Sequence, residues 1–357
     1  MKIHNFSAGP SILPEEVIRK ASEALINFND TGLSLIEISH RDNNFVGIIN
    51  EARNLVLQLL NLEGKGYQVL LLQGGASLEF VRIANNLLKL DGKAGYVNTG
   101  TWANNAQNEA AFYGEIYEIA SSKNSNYNSI PKDFNVPTDL DYVHITSNNT
   151  IYGTQFKEFP TVNIPLVCDM SSDIFSRQLD FSRFDLIYAC AQKNAGTSGV
   201  NIVVVKEDIL EKTGRKIPNI LNYKKHIEKE SMYNTPAVLS VYVSYLTLKW
   251  IKDSGGIVAL EKKNKAKANL MYSEIDRNSL FYGSAASNDR SLMNATFFLK
   301  DEKLTSLFDS FCEQNGIYGL KGHRTAGGYR ASMYNALPFN SVYYLVEKMQ
   351  QFEKMYY

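Results

Sequence analysis

Short apolar runs alternate with longer amphipathic stretches through the first two thirds of the chain. Runs at 67–72, 94–97, 115–120, 142–146, 166–169, 186–190 and 200–205 read as strands, most of them apolar. The helical 3–4 spacing fills 78–90 and 102–113 between the first of them. Such alternation predicts a mostly parallel sheet covered by helices on both faces. Upstream, Pro14-Glu15-Glu16 opens a helix, and Phe45, Ile49, Ala52, Val56, Leu59 and Leu60 mark one face of another. Downstream, helices are expected at 238–253 and 257–275, the second with Lys262, Lys263, Lys265 and Lys267 as a solvated face. Shorter strands (293–299, 317–320, 329–332) and helices (303–315, 340–356) follow. The fold class is α/β: a large domain over 1–258 with a seven-stranded type of sheet, then a small α+β domain over 259–357. Residues 1–15, which include Phe6-Ser-Ala-Gly-Pro10, form an extended arm expected to pack on the small domain.

Composition narrows the class without choosing a function. With 357 residues, two domains are the prior. Hydrophobic residues at 44% and charged residues at 21% are ordinary for a soluble protein. A formal net charge of zero provides no global field for nucleic acid or anionic membrane, so an anionic ligand must be held by local groups. Three cysteines, Cys168, Cys190 and Cys312, cannot build a disulfide framework. Residues 1–10 lack the apolar segment of a secretory signal, and no apolar run is long enough to span a bilayer. A reduced, cytoplasmic setting is expected.

In any mostly parallel sheet, ligands collect beyond the carboxyl ends of the strands. Lys193 follows the strand at 186–190 and precedes a small, glycine-punctuated loop. A lysine there either snorkels to water or, partly desolvated, serves as a nucleophile toward an aldehyde. Asp169 ends another apolar run, 24 residues before Lys193. One strand ending in Asp and one in Lys suggest a pyridoxal phosphate (PLP) site. There the lysine forms a Schiff base and the acid keeps the pyridine nitrogen protonated.

Four further motifs admit two readings each. Gln73-Gly-Gly-Ala-Ser77 is either a strand-to-helix turn or an anion cradle of free amides. Trp102 is a core anchor or a stacking partner for a flat ring. Thr150, in Asn148-Asn-Thr-Ile-Tyr-Gly153, is a turn residue or a donor to a phenolic oxygen. His40-Arg41 and His323-Arg324, with Arg330, are surface cations or forks for carboxylate and phosphate. The histidines lack metal-ligand spacing. The G-x-G-x-x-G spacing of a dinucleotide site is absent.

Together, Asn5-Phe-Ser-Ala-Gly-Pro10, Ser39-His-Arg41, Asp169-Met-Ser-Ser172, Gln192-Lys-Asn194, Met232-Tyr-Asn-Thr-Pro236 and Gly322-His-Arg324 followed by Arg330 resemble the phosphoserine aminotransferases, class V members of the PLP-dependent fold type I enzymes. The resemblance implies that Lys193 holds PLP and Asp169 meets its ring nitrogen, with Trp102 stacked on the ring and Thr150 on its phenolic oxygen. It implies that Ala76, Ser77 and Gln192 hold the cofactor phosphate. Asn234 and Thr235 would reach that phosphate from the other subunit of a homodimer. It assigns Arg330 to the substrate α-carboxylate, and His40, Arg41, His323 and Arg324 to a phosphate or the glutamate side chain. The implied substrates are glutamate and a phosphorylated keto acid of serine biosynthesis, with a related one in pyridoxine biosynthesis. Some family members carry an arginine where this chain has Ser77, so the remaining cations must suffice here. The alternatives are another fold type I enzyme, such as an alanine–glyoxylate aminotransferase or a cysteine desulfurase, and a non-enzymatic PLP-binding protein. The desulfurase needs a mobile cysteine, and the apolar settings of these three disfavour it.

Overall fold

The computed structural model describes residues 2–357. Ahead of the main sheet lie β1 (His4–Asn5), α1 (Glu15–Ile26) and α2 (Asn43–Leu60). The alternating region runs β2 (Tyr67–Leu72), α3 (Gly75–Leu87), β3 (Lys93–Asn98), α4 (Thr101–Ala110), β4 (Glu115–Ser121) and β5 (Tyr142–Thr146). A small ribbon of β6 (Asn148–Asn149) and β7 (Thr154–Gln155) precedes β8 (Leu166–Asp169), β9 (Leu186–Cys190) and β10 (Asn201–Lys206). Then come α5 (Tyr223–Glu228), α6 (Val238–Asp253), α7 (Gly256–Arg277), β11 (Phe281–Gly283) and β12 (Asn294–Leu299). The remainder is α8 (Thr305–Gln314), β13 (Ile317–Tyr318), β14 (Tyr329–Ser332) and α9 (Phe339–Tyr356).

Seven strands form the main sheet in the order β2-β10-β9-β8-β5-β3-β4. From β9 to β4 all neighbours are parallel, while β10 runs antiparallel to both of its neighbours. The expected mostly parallel sheet is therefore present. Its central strands are buried on both faces, which explains why they read as unbroken apolar runs. One face packs on Phe45, Ile49 and Val56 of α2 and Val241 and Leu248 of α6. The other packs on Phe80 and Ile83 of α3 and Ala106 and Ala110 of α4. A second sheet, β11-β12-β14, is antiparallel and sits on a separate core of Phe281, Phe297, Phe308 and Phe352. Phe6 inserts into that same core, beside the parallel pairing of β1 with β13.

Local chemistry sets the boundaries. Asp42 caps α2 by accepting from the Asn44 amide at 2.8 Å. Helix α3 starts three residues earlier than its apolar spacing predicts, because Gly74 takes φ 120° and turns the chain directly off β2. Strand β13 stops at Tyr318, short of residue 320. One expectation fails outright: Lys267 is only 1% exposed. It lies on the stripe of Leu260, Asn264, Met271 and Ile275 that faces inward, whereas Lys262, Lys263 and Lys265 do face solvent. Its ammonium donates to the carbonyls of Met333, Tyr334 and Leu337 at 3.0, 2.6 and 3.1 Å. Among the described residues no helix is long and apolar enough to cross a membrane.

Candidate active site

The carboxyl ends of β2, β5, β8 and β9 open on one cavity of about 370 Å³. Nine of the residues singled out in the sequence line it: Ala76, Ser77, Trp102, Thr150, Asp169, Gln192, Lys193, His323 and Arg330. Strands β8 and β9 are adjacent and parallel, so the segments bearing Asp169 and Lys193 leave the sheet side by side.

Lys193 is half-buried, and its amine donates to Thr150 Oγ1 at 3.4 Å. The backbone around it is anchored from two directions. Ser11 donates its hydroxyl to the Lys193 carbonyl at 2.6 Å and its amide to the Gln192 carbonyl at 3.0 Å. Asn194 donates to the Ser172 carbonyl at 3.4 Å and accepts from the Asn335 amide at 3.0 Å. Two residues further on, Gly196 lies so close to α6 that a Cβ would fall 2.5 Å from Ser244 Oγ. A fixed main chain leaves the lysine side chain as the moving part.

Asp169 is buried, and burial pushes its carboxyl up. The Ser171 amide, donating at 2.8 Å, and the charge of Lys193 oppose this. Thr146, opposite Asp169 on β5, is also buried, and its Oγ1 has no partner among the described residues. Helix α3 points its N-terminus at the cavity, presenting the amides of Gly75 to Ser77. Only the Cys190 sulfur, a weak acceptor, meets the Ala76 amide, at 3.1 Å. This is where an anion is favoured. Trp102, on the first turn of α4, completes the wall.

Arg330 enters from β14 and is 9% exposed. Among the described residues no carboxylate pairs with it. Its Nη1 donates to the Thr150 carbonyl at 3.3 Å, and its Nε has no partner. Burial lowers its pKa, so the site bears the cost of a cation that the described residues leave without a carboxylate. His323 is held below the ordinary imidazole range by burial and by the charges of Arg330 and Arg324. Its Nδ1 lies 2.7 Å from Thr325 Oγ1.

The donor set suits a planar, anionic, aldehyde-bearing cofactor. It supplies an amine, a carboxylate for a ring nitrogen, an indole, a free hydroxyl and a helix N-terminus for a phosphate. Five expected residues do not line the cavity. His40 is half-buried and Arg41 exposed, in the turn before α2. Arg324 is exposed beside His323. Asn234 and Thr235 are exposed, with Asn234 donating to Gln73 Oε1 at 3.3 Å. The cavity also includes Ala8, Gly9, Thr146, Asn148, Ser171 and Cys190, which the motifs did not single out as site residues. Thr146 and Cys190 end strands, so the rule that selects Asp169 could also have selected them. Ala8 and Gly9 come from the arm, and no local pattern signals a contact across so much sequence. Cys190 reaches the cavity wall, but burial pushes its thiol up, away from the thiolate a desulfurase would need.

A family model for aminotransferase class-V matches residues 3–345. The chain is 62% identical over 353 residues to a phosphoserine aminotransferase of Flavobacterium psychrophilum, covering 99% of each chain. It is 51% identical over 358 residues to that of Bacteroides thetaiotaomicron, covering 100% of each. Among solved structures, the phosphoserine aminotransferase from Bacillus circulans subsp. alkalophilus superimposes with a TM-score of 0.96 at 42% identity, covering 99% of each chain. An alanine–glyoxylate aminotransferase from Nostoc sp. shares the fold with a TM-score of 0.74 at 14% identity, covering 98% of this chain and 96% of that one. The chain belongs to the class-V aminotransferases, and its likeness to full-length relatives from Flavobacterium and Bacteroides places it among the phosphoserine aminotransferases.

Proposed function

We propose that this chain catalyses reversible amino transfer from L-glutamate to 3-phosphohydroxypyruvate, giving O-phospho-L-serine and 2-oxoglutarate, with PLP as cofactor. The observation that carries this reading is Arg330, a buried cation without a carboxylate, in one cavity with Lys193 and Asp169. Both amino donor and keto acceptor carry a carboxylate beside the reacting carbon. One guanidinium fork serves both.

PLP, when bound, supplies an electron sink for the carbanion left by α-proton removal. Lys193 would hold it covalently, and Asp169 would keep its ring nitrogen protonated. Trp102 would lie on the ring, Thr150 would meet its phenolic oxygen, and Ala76, Ser77 and Gln192 would hold its phosphate. With its amine free, Lys193 would take the substrate α-proton as general base and give it back as general acid. Its tethered main chain limits that shuttle to side-chain rotation. Arg330 fixes the substrate carboxylate and so aims the α-hydrogen at Lys193. His323 and Arg324 would receive the distal phosphate of one substrate and the distal carboxylate of the other.

We infer a homodimer in which Asn234 and Thr235 complete the partner's phosphate site. Their exposure beside Gln73, at the mouth of the cradle, supports this. His40 and Arg41 stand outside their own cavity, in a segment that exposes Leu33 and Ile36, 51% and 62%. We assign that surface to the dimer contact and His40-Arg41 to the partner's substrate pocket. Folding units at 1–258 and 259–357, and a cytoplasmic setting, fit the same reading.

Turnover with glutamate and 3-phosphohydroxypyruvate, set against 3-hydroxypyruvate, tests the substrate class. Strong preference for the phosphorylated acid is expected; equal kcat/KM would reject the phosphate assignment. Borohydride should fix the cofactor's absorbance to the peptide containing Lys193, and a Lys193→Ala protein that still retains it covalently would reject the lysine's role.

A further inference from the structure

The amino-transfer chemistry leaves unexplained a row of buried polar aromatics behind Asp169. On β9, Tyr188 stands directly opposite Asp169, as Thr146 does on the other side. Side chains at opposed positions of neighbouring parallel strands share a face. Two residues before Thr146, and so on the same face, His144 places Nε2 at 2.9 Å from Tyr188 Oη. Tyr96, opposite His144 on β3, stacks on the imidazole with centroids 4.9 Å apart and planes at 23°. Its hydroxyl meets that of Tyr142 at 2.8 Å. All four are at most 1% exposed.

The direction of the chain follows from one unpartnered atom. Among the described residues His144 Nδ1 has no hydrogen-bond partner. Burial holds the imidazole down at about 3, so the ring is neutral at working pH and carries one hydrogen. On Nδ1 that hydrogen would be a buried, unsatisfied donor. On Nε2 it is given to Tyr188 Oη. Tyr188 thus already accepts from His144, and its own hydrogen is free. The polar group it faces across the strand register is the buried carboxylate of Asp169, which shares its face of the sheet. Burial, and then the neighbouring Asp169, push the Tyr188 phenol well up, so it remains a donor throughout.

We propose that Tyr188 and His144 are positioning residues for the reaction: His144 orients the Tyr188 hydroxyl, which donates to Asp169 and holds that carboxylate ionised and aimed at the cofactor's ring nitrogen. This rests on the role given to Asp169 above. Three groups then face the carboxylate: the Ser171 amide, the Lys193 amine and the Tyr188 hydroxyl. Tyr188 is the only one of them delivered by a side chain whose hydroxyl is itself oriented by a second buried side chain.

The test uses purified holoenzyme. Tyr188→Phe keeps the ring and removes the donor. Loss of one hydrogen bond to a charged group should lower kcat about 10- to 100-fold, with KM for both substrates within about twofold. It should also weaken cofactor retention on dialysis about tenfold and move the pH midpoint of the cofactor's visible band. His144→Leu should reproduce these effects, and His144→Gln, whose amide can supply the donor, should restore most of them. Tyr96→Phe, which leaves the Tyr142 hydroxyl unpaired in the same core, controls for destabilisation and should leave kcat and the band unchanged. A Tyr188→Phe enzyme with wild-type kcat, band and retention overturns the proposal, as does equal behaviour of the two His144 variants. Asp169→Asn separates the levels. If it is inert in all readouts, the role of Asp169 itself has failed. If it is severely impaired while Tyr188→Phe is not, only the positioning chain has failed.

Discussion

Replacing Arg330 should divide activity from stability in opposite directions. Arg330 is 9% exposed, and among the described residues its Nε has no partner and its guanidinium makes one hydrogen bond, to the Thr150 carbonyl at 3.3 Å. A substrate carboxylate would add charge-assisted hydrogen bonds, and truncating such a buried pair costs about 2–5 kcal/mol. One fork position is already spent on Thr150, so the lower half of that range applies, about 3 kcal/mol. At about 1.4 kcal/mol per decade, Arg330→Met should lose about 100-fold in kcat/KM for glutamate and for the phosphorylated keto acid alike. Arg330→Lys keeps a point charge without the fork and should lose about 10-fold. The same substitution removes a desolvated cation that has no carboxylate in the protein, so the melting temperature of Arg330→Met should be unchanged or higher. The assay is steady-state kinetics in both directions with each substrate varied, alongside thermal melts of the same preparations. A loss confined to one substrate would refute the shared-carboxylate role. A melt lowered by several degrees would mean that Arg330 chiefly fastens the Thr150 turn.

Lys267→Met should cost about 2–4 kcal/mol in chemical denaturation, because it strands three buried carbonyls. Burial lowers Lys267 to about 7, below its unfolded value, so between pH 7 and about 10 the unfolded chain binds the extra proton. Wild-type stability should therefore rise with pH across that window and be flat below it, and the rise should vanish in Lys267→Met. Glu353 has the opposite sign. Burial pushes its carboxyl up, but the Ser279 amide at 2.6 Å, Arg277 and the Ser279 hydroxyl at 2.7 Å hold it down at about 2. Its contribution, about 1 kcal/mol after solvent screening, is present above the normal carboxylate range and lost as pH falls toward 2. Acid melts of Glu353→Gln should lack that loss. Gly196→Ala combines a φ of 148° with a 2.5 Å approach to Ser244 Oγ. It should displace the lysine loop and lower kcat/KM at least tenfold, read against a cofactor-binding titration.

The inner strands β8 and β9 are legible in the sequence because burial on both faces leaves them almost wholly apolar, whereas the exposed edge strand β4 carries Glu115 and Glu118. Asp169 and Lys193 are legible because topology turns two strand ends into neighbours. Charge, by contrast, misleads at Lys267. Its position on the stripe from Leu260 to Ile275 points inward, while its residue type points to solvent, and here the spacing decides. Backbone carbonyls 66 to 70 residues away satisfy its ammonium, and no sequence pattern marks a carbonyl as an acceptor. Ser11 and Gly9 escape a reading of the sequence for a related reason: bonds from Ser11 to the Gln192 and Lys193 carbonyls, and the approach of the Gly9 backbone to the Lys193 side chain, leave no trace in composition. His40, Arg41, Asn234 and Thr235 lie outside the chain's own cavity, and a role for them in the homodimer proposed above is not something a single chain's periodicity encodes.

The pairing of His4–Asn5 with Ile317–Tyr318 has a consequence for the order in which the molecule is made. A ribosome releases residue 4 long before residue 317. Until then Phe6 has no core to enter, and the segment carrying Ser11 is tethered at one end only. The main sheet can form earlier, since all seven of its strands lie before residue 207. The Asn335 amide that donates to Asn194 comes later still, so an unfinished chain holds the reactive amine without half of the frame that directs it.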